Sequence, residues 1–256
     1  MSAWRTMASQ ELRILWLGGR APLLLTLFAV AFSALAFLFA TNKELSLIPP
    51  RETLYLLSSS SIAVGLLVSL ILGADSVSGE RDRGSLEALL LTPANRRDLV
   101  LGKYLAALSP WPAILVLLAP FLYQLSPNLD SFIEAMMWTV IMGTIVVAGF
   151  TAFGVLVSIR AGSNKTSLGI ALVTFLLFMI PTQLPGTAQT GGLGLIMKKM
   201  NPLESAAHFL EKMLVNNRTP GEMAVFLLAP VLFLVVCLAI LTWQRNPTLK
   251  LRAGGE

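Results

Sequence analysis

The sequence contains few charged residues and very little cysteine. Asp, Glu, Lys and Arg make up 13% of the 256 residues, about half the share that soluble domains carry. With 55% hydrophobic residues and a mean hydropathy of +0.74, the chain has too little polar surface to cover a water-soluble particle. These values exclude a secreted, disordered or nucleic-acid-binding domain. The single cysteine, Cys237, excludes a disulfide within the chain.

The sequence also lacks the glycine-rich G-x-x-x-x-G-K-S/T loop that holds the phosphates of a nucleotide. The nearest match is Gly102-Lys103, but Arg97 stands where the first glycine belongs, and Tyr104 follows the lysine. No Asp, Glu, Lys or Arg lies deep within an apolar run, which argues against a proton-relay transporter. We therefore expect no catalytic residues and no cofactor in this chain, and any ATP hydrolysis must come from another subunit.

His208 is the only histidine and is one candidate around which a metal site could form. Glu204 and Glu211 lie four residues before it and three after it, so the three side chains could share one helix face. Acids and bases on the wet face of a helix usually pair with one another or stay solvated. We favour that interpretation and predict no metal site.

Six apolar runs approach or exceed the roughly 20 residues that a membrane-spanning helix needs. These spans are about 21–40, 53–74, 104–125, 132–159, 167–184 and 223–243. They predict an all-α polytopic membrane protein, with a third span that is kinked by its prolines. Ser58 to Ser61 could line a path through the membrane, although hydrogen bonding between packed helices is the alternative that we favour.

The positions of the basic residues predict the orientation. Thirteen of the 19 Lys and Arg fall in the two termini and in the connections 75–103 and 160–166, which lie on the same side. Because cytoplasmic segments carry an excess of Lys and Arg, both termini are expected to be cytoplasmic.

The leader, residues 1–20, has the pattern of an amphipathic helix lying in the membrane interface. Its apolar arc includes Trp4, Met7, Leu12 and Leu15, whereas Glu11 interrupts that arc. The alternative is a short charged leader that only sets the topology.

The outer connection, 181–222, is too long for a simple link between helices, so it is expected to have structure of its own. Leu203 to Leu214 follow helical spacing and predict an amphipathic helix before the last span.

The connection 75–103 is the most polar part of the chain and contains signals for a short helix. Ser85 is a candidate N-cap, Glu87 would lie near the positive end of the helix dipole, and Thr92-Pro93 would stop the helix. Leu86, Leu89 and Leu90 form one apolar face, which suits docking on a cytoplasmic partner. A solvated loop that only sets topology is the open alternative.

The stretch Ser78-Gly-Glu-Arg-Asp-Arg-Gly-Ser-Leu-Glu-Ala-Leu-Leu-Leu-Thr-Pro93 resembles the ABC type-2 permease family. Arg96-Arg97, Gly102-Lys103, and Gln10-Glu11-Leu12 with Arg20 in the leader support the resemblance. The resemblance implies that the leader is an interfacial elbow helix and that residues 80–91 form a cytoplasmic coupling helix. The residues implied to contact the nucleotide-binding subunit are Glu80, Arg81, Asp82, Arg83, Gly84, Ser85, Leu86, Glu87 and Leu90.

The resemblance further implies a permease subunit of an ABC exporter in the bacterial inner membrane. ATP and Mg²⁺ would bind to a partner ATPase subunit, and a second permease, either a copy of this chain or a paralogue, would complete the complex. Gly143, Gly149 and Gly154 would permit close packing between helices. Members of the family export drugs, lipids, polysaccharides or sodium, so the substrate stays open.

Two alternatives to an exporter remain open at the sequence level. One is a passive six-span module that binds a ligand or acts as a scaffold. The other is a permease-like mechanotransmission subunit that serves a periplasmic protein, for example in gliding or in copper-enzyme maturation.

Overall fold

The structure, a computed structural model, describes residues 3–42, 47–85, 96–183, 196 and 199–243, and within them the regular secondary structure is helical. The α-helices are α1 (Ala3–Leu17), α2 (Arg20–Thr41), α3 (Pro50–Asp82), α4 (Arg96–Leu108), α5 (Pro110–Leu125), α6 (Leu129–Arg160), α7 (Asn164–Met179), α8 (Pro202–Leu214) and α9 (Leu228–Trp243). Two 3₁₀ segments, Ile180–Gln183 and Ala224–Leu227, follow α7 and precede α9.

Five helical segments of the described chain are long and apolar enough to cross a membrane, and they match five of the six predicted spans. They are Arg20–Phe39, Pro50–Asp82, Arg97–Leu125, Leu129–Arg160 and Ala224–Trp243. The remaining predicted span, 167–184, corresponds to α7, whose 16 residues are apolar but shorter than a typical span. The 3₁₀ segment extends α7 by about one turn, and Pro181 has no N–H to continue the α-helical pattern. The chain is therefore a multi-pass α-helical membrane protein.

The helices on either side extend into the polar connection 75–103. α3 continues past Ala74, where the apolar run ends, to Asp82, and α4 begins at Arg96, so only 83–95 separates the two helices. The polar extension of α3 is compatible with a helix because its serines bond their own backbone: the Ser78 hydroxyl donates to the Ala74 carbonyl at 2.7 Å.

The third span is interrupted where its prolines predicted a kink. α4 ends at Leu108 and α5 begins at Pro110, with Ser109 between them. Pro at the first position of a helix costs no hydrogen bond, which explains why the break falls before Pro110. Pro120 lies inside α5, where it removes one backbone hydrogen bond of the helix.

α3 and α6 cross at the centre of the bundle with their backbones in contact. A methyl group on Gly154 would lie 2.7 Å from the Leu70 carbonyl oxygen, and one on Gly73 would lie 2.9 Å from the Thr151 carbonyl oxygen. Nearer the opposite end, the Trp111 ring of α5 fills the space that side chains at Gly65 and Gly143 would need. Small residues thus let the two longest helices approach closely.

α8 confirms the helix predicted in the outer connection, but its apolar face packs on α3 and α6 rather than facing lipid. Phe209, Leu210 and Met213 are buried there. Asn201 caps the helix by accepting from the N–H groups of Leu203 and Glu204. α8 lies at one end of the bundle, and we call the other end, which holds α1 and the last turn of α3, the α1 end.

Candidate functional site: a charged junction at the α1 end

α1 packs lengthwise on α4 and so lies against protein along one face. The contact is close because α4 has Gly102 opposite Met7 and Ala8: a methyl group on Gly102 would lie 3.2 Å from the Ala8 nitrogen. At the far end of α1, the indole N–H of Trp16 donates to the Ser109 hydroxyl at 3.0 Å.

The predicted apolar arc of α1 is only partly turned toward the bundle. Met7, Leu12 and Leu15 are half-buried, and Leu15 packs against a small cluster formed by α3 and α4. Ile14 and Leu17 remain exposed, which leaves an apolar surface for the membrane interface. The side chain of Trp4 lies outside the described residues.

Lys103 on α4 is buried between two carboxylates that come from different helices. Its ammonium lies 2.8 Å from Glu11 Oε1 of α1 and 2.5 Å from Glu80 Oε1 of α3, with 1% of the lysine side chain exposed. A charge removed from water is tolerated only when it is paired and hydrogen-bonded. This requirement explains why Glu11 interrupts the apolar arc of α1.

Lys103 and its two carboxylates form one charged centre, and Asp75 on α3 forms a second. Arg20, the first residue of α2, donates to Asp75 Oδ2 at 2.7 Å, and Arg83 approaches the same oxygen at 3.2 Å. The side-chain amide of Asn164, at the start of α7, donates to Asp75 Oδ1 at 2.8 Å. Asp75 therefore connects the first residues of two other helices to α3.

We call this cluster the junction; its residues are Glu11, Arg20, Asp75, Glu80, Arg83, Lys103 and Asn164. A small cavity of about 60 Å³ lies between its two charged centres, lined by most of these side chains and by Leu72, Ala106 and Ala107. Three acids and three bases balance, so the junction has no net charge and depends on geometry rather than on a bound counter-ion.

The residues of α3 next to the junction bind α6 and α7. The Ser158 hydroxyl of α6 accepts from the backbone N–H groups of Val77 and Ser78, at 3.0 and 2.9 Å. The Ser78 hydroxyl lies 3.0 Å from Asn164 Oδ1, and Asp82 Oδ2 accepts from the Asn164 N–H at 2.9 Å. The last turn of α3 is thus fixed to the α6–α7 turn.

The structure separates the nine residues implied to contact a partner into three groups. Glu80 and Arg81 face inward, which differs from the expected docking surface: Glu80 pairs with Lys103, and Arg81 donates to the carbonyls of Ala161 and Ile159. Arg81 is only 5% exposed, and both side chains hold α3 against neighbouring helices. Their inward direction follows from α3 remaining helical to Asp82.

The next four residues, Asp82, Arg83, Gly84 and Ser85, are exposed at the end of α3. Gly84 has φ of +73°, a left-handed conformation that favours glycine and ends the helix. Leu86, Glu87 and Leu90, which carry the predicted short helix, lie outside the described residues.

The sequence did not predict the pairing partners in the junction. Lys103 was considered only in the nucleotide-loop comparison and in the family resemblance, and Asp75 only as the first residue of the polar connection 75–103. Asn164 and Ser158 were not identified as functional. One signal was present in the sequence. Arg20, Asp75 and Lys103 are charged residues at the ends of predicted spans, and a charge at such a position is costly unless it pairs with an opposite charge. Their partners lie far apart in the chain, so the spacing could not identify them.

His208 lies far from the junction, on α8. Its Nδ1 is 3.3 Å from Glu211 Oε2, and its ring lies against Phe226. Within the described residues, no group of three or more His, Cys, Asp or Glu side chains could hold a metal ion.

Comparison with known proteins gives two matches. The sequence profile of a family described as "ABC-2 family transporter protein" matches residues 19–245, which is most of the chain. The chain is also 27% identical over 156 residues to the ABC transporter permease protein NatB of Bacillus subtilis (strain 168). That alignment covers 53% of this chain and 40% of the relative, so this chain matches less than half of the relative's length.

Proposed function

The chain belongs to the ABC-2 family of transporter proteins, and we propose that it is the membrane-spanning permease subunit of an ATP-driven exporter. In this proposal a separate ATPase subunit binds ATP and Mg²⁺ and hydrolyses the nucleotide. The present chain supplies the path through the membrane and couples its opening to that hydrolysis. The excess of Lys and Arg in the two termini and in the connections 75–103 and 160–166 supports a cytoplasmic location of both termini. In this proposal the membrane is the bacterial inner membrane.

The observation that carries the proposal is the junction. In the stretch that resembles a coupling segment, the last described residues, Gly84 and Ser85, are exposed. Immediately before them, Glu80 binds Lys103 of α4, which also binds Glu11 of α1, and Arg81 binds the end of α6. A subunit that moves the exposed part must therefore move several helices together.

α3 is the element that would carry this movement across the membrane. It is one continuous helix of 33 residues, about 50 Å long, and reaches from the junction to α8 at the opposite end. Closure of the ATPase subunits would push on residues 82–91 and tilt α3. Because α6 contacts α3 backbone to backbone at Gly154, α6 would follow.

A second permease subunit would complete the transport path. Ser59 and Ser60 lie on the outer face of α3 and line a groove of about 530 Å³, together with Tyr55, Phe175 of α7 and Ala207 of α8. The Ser59 hydroxyl donates to the Leu56 carbonyl of its own helix at 3.2 Å. Because two small polar residues still face outward in this groove, as they do where membrane helices pack together, we propose that a second permease, a copy of this chain or a paralogue, covers it. The substrate would then pass between the two subunits.

Docking of the ATPase subunit is the step to test first. The tagged chain carrying Leu86→Asp and Leu90→Asp should insert normally but lose the co-purifying Walker-motif subunit, because two carboxylates would replace the apolar face of the predicted helix. The measurement is the ratio of ATPase subunit to permease by quantitative mass spectrometry, with vanadate-sensitive hydrolysis measured on the same samples.

The matched control adds two carboxylates at the α1 end of the bundle but leaves the predicted short helix unchanged. Ser9 and Gln10 are exposed on α1, so Ser9→Asp with Gln10→Asp should retain the ATPase subunit. If both double variants retain it equally, docking occurs elsewhere. If the wild-type chain purifies without a nucleotide-hydrolysing partner even after cross-linking, the exporter proposal fails.

A further inference from the structure

A second cavity lies away from the junction, on the membrane-facing side of the bundle at the α1 end. It is a groove of about 680 Å³ between α7 and α9, with α6 as its floor. Its walls are almost entirely apolar and include Phe153, Val157, Ile170, Phe233, Val236 and Ile240. Nothing in the proposed coupling or transport path uses this groove.

The groove is closed toward the middle of the membrane. The rings of Phe150, Phe153 and Phe178 all lie against Phe233, with centroid distances between 4.7 and 6.3 Å. From Phe153 to Arg160 the groove follows α6 for about 10 Å. One leaflet of hydrocarbon is about 15 Å deep, so the groove occupies most of one leaflet and stops before the midplane.

The mouth of the groove is basic. Arg160, in the last turn of α6, lines it and is exposed, and it forms no ion pair with any residue that the structure describes. Lys165 is exposed on the first turn of α7, next to Thr166 at the rim. Two carboxylates reach this turn and both bind Asn164: Asp82 accepts from its backbone N–H, and Asp75 accepts from its side-chain amide.

The rim also has space and lies at the depth of lipid headgroups. A methyl group on Gly162 would meet no heavy atom within 4 Å, so a ligand has room beside the cation. Trp243 ends α9 three residues after Ile240 and is 83% exposed. Exposed tryptophans at helix ends are typical of the level where hydrocarbon meets headgroups.

We propose that this groove binds one anionic glycerophospholipid, with its phosphate on Arg160 and an acyl chain between α7 and α9. The charge and the shape support this occupant together: the mouth has an unpaired cation, and the apolar channel below it has the depth of one leaflet. Basic pockets between membrane helices are known to hold anionic headgroups. The proposal does not depend on which substrate the complex transports.

The test uses the purified complex in nanodiscs that contain equal amounts of phosphatidylglycerol and phosphatidylcholine. Native mass spectrometry then measures the lipid that each chain retains. Arg160→Gln should lower retained phosphatidylglycerol relative to phosphatidylcholine by about fivefold, the factor that corresponds to about 1 kcal/mol for one interfacial cation. Arg160→Lys should keep most of the preference because it keeps the charge.

Two further variants separate the charge from the groove. Arg97 is an exposed cation at the same end but outside the groove, so Arg97→Gln should leave the preference unchanged. Ile240→Trp should fill the groove and reduce cross-linking of its walls by a phosphatidylglycerol that carries a photoreactive acyl chain.

Either of two results would overturn the proposal. Equal lipid preference in Arg160→Gln and Arg97→Gln would mean an ordinary lipid shell rather than a site. Photolabel spread evenly over α2 and the groove walls, or absent from the groove because a second protein chain covers it, would also exclude a bound lipid there. Loss of preference in Arg160→Gln with label concentrated in 153–170 and 233–240 would support it.

Discussion

Lys103 is the charge with the least contact with water in the described chain, and its two partners come from different helices. Glu11 and Glu80 are 14% and 15% exposed at their side chains, and Oε2 of Glu80 has no partner among the described residues. Removal of the lysine would leave two carboxylates facing each other in a space that water reaches poorly. The stability of the chain should therefore depend more on Lys103 than on either Glu11 or Glu80 alone.

We predict that Lys103→Met destabilises the chain by on the order of 3 kcal/mol, the typical cost of leaving a buried charge without its partner. The midpoint of thermal unfolding in detergent should fall by several degrees. Lys165→Met is the matched control, since Lys165 is an exposed lysine at the same end, and its effect should stay within about 0.5 kcal/mol.

A second background tests whether the loss comes from the uncompensated acids. In a chain that already carries Glu11→Gln and Glu80→Gln, Lys103→Met should cost less than half as much, because amides tolerate burial without a cation. An equal cost in both backgrounds would mean that Lys103 contributes by packing alone.

At the scale of elements, the α3–α6 contact lies at the centre of the bundle, and most of the other helices pack on these two. Both helices run the length of the bundle, and α7, α8 and α9 pack on them. Their backbones touch because Gly73 and Gly154 face each other, so the separation of the two axes depends on the absence of two methyl groups.

We predict that Gly154→Ala destabilises the chain by about 1–3 kcal/mol, since the new methyl group would meet backbone that cannot rotate away. Gly169→Ala is the control on α7, where a methyl group would meet nothing within 4 Å. That variant should be neutral or more stable by up to about 1 kcal/mol, because alanine is the better helix former. Equal unfolding midpoints for the two variants would show that the α3–α6 contact is less close than described.

The sequence was sufficient to predict elements where apolar length alone defines them. Five spans, the α8 helix and the break before Pro110 followed from run length, spacing and proline chemistry. Gly143, Gly149 and Gly154 were correctly assigned to close helix packing, and all three face helices of the same chain. α3 extends beyond the apolar run that ends at Ala74, because its polar residues Ser78 and Asp82 have partners on α6 and α7.

The junction could not be predicted in the same way. Lys103 and Glu11 are 92 residues apart, and Arg20 and Asp75 are 55 apart. No local spacing relates them, and only the packing of α1 on α4 and of α2 near α3 brings them together. The residues that carry the family resemblance were identified in the sequence, but the inward direction of Glu80 and Arg81 required the fold.

At the scale of the whole molecule, the described chain has different surfaces at its two ends and on its sides. The α1 end has the junction and the exposed turn at Gly84, and the opposite end is covered by α8. Between them, a groove beside Ser59 and Ser60 places two serines on the outer face of α3. In the proposed complex a second permease covers this surface, because small polar residues are typical of contacts between membrane helices.

Cross-linking tests whether a second permease covers that groove. In a Cys237→Ala background the chain has no other cysteine, so Ser59→Cys reports on one position. We predict that a short bis-maleimide joins Ser59→Cys to a second permease subunit in native membranes, giving a dimer of this chain or a band with a paralogue that carries a nearby cysteine. Leu27 on α2 is 60% exposed. The Leu27→Cys chain should therefore remain monomeric after cross-linking, because this position faces lipid. The opposite pattern, with Leu27→Cys cross-linked and Ser59→Cys not, would place the subunit contact on α2 and remove the serine groove from the transport path.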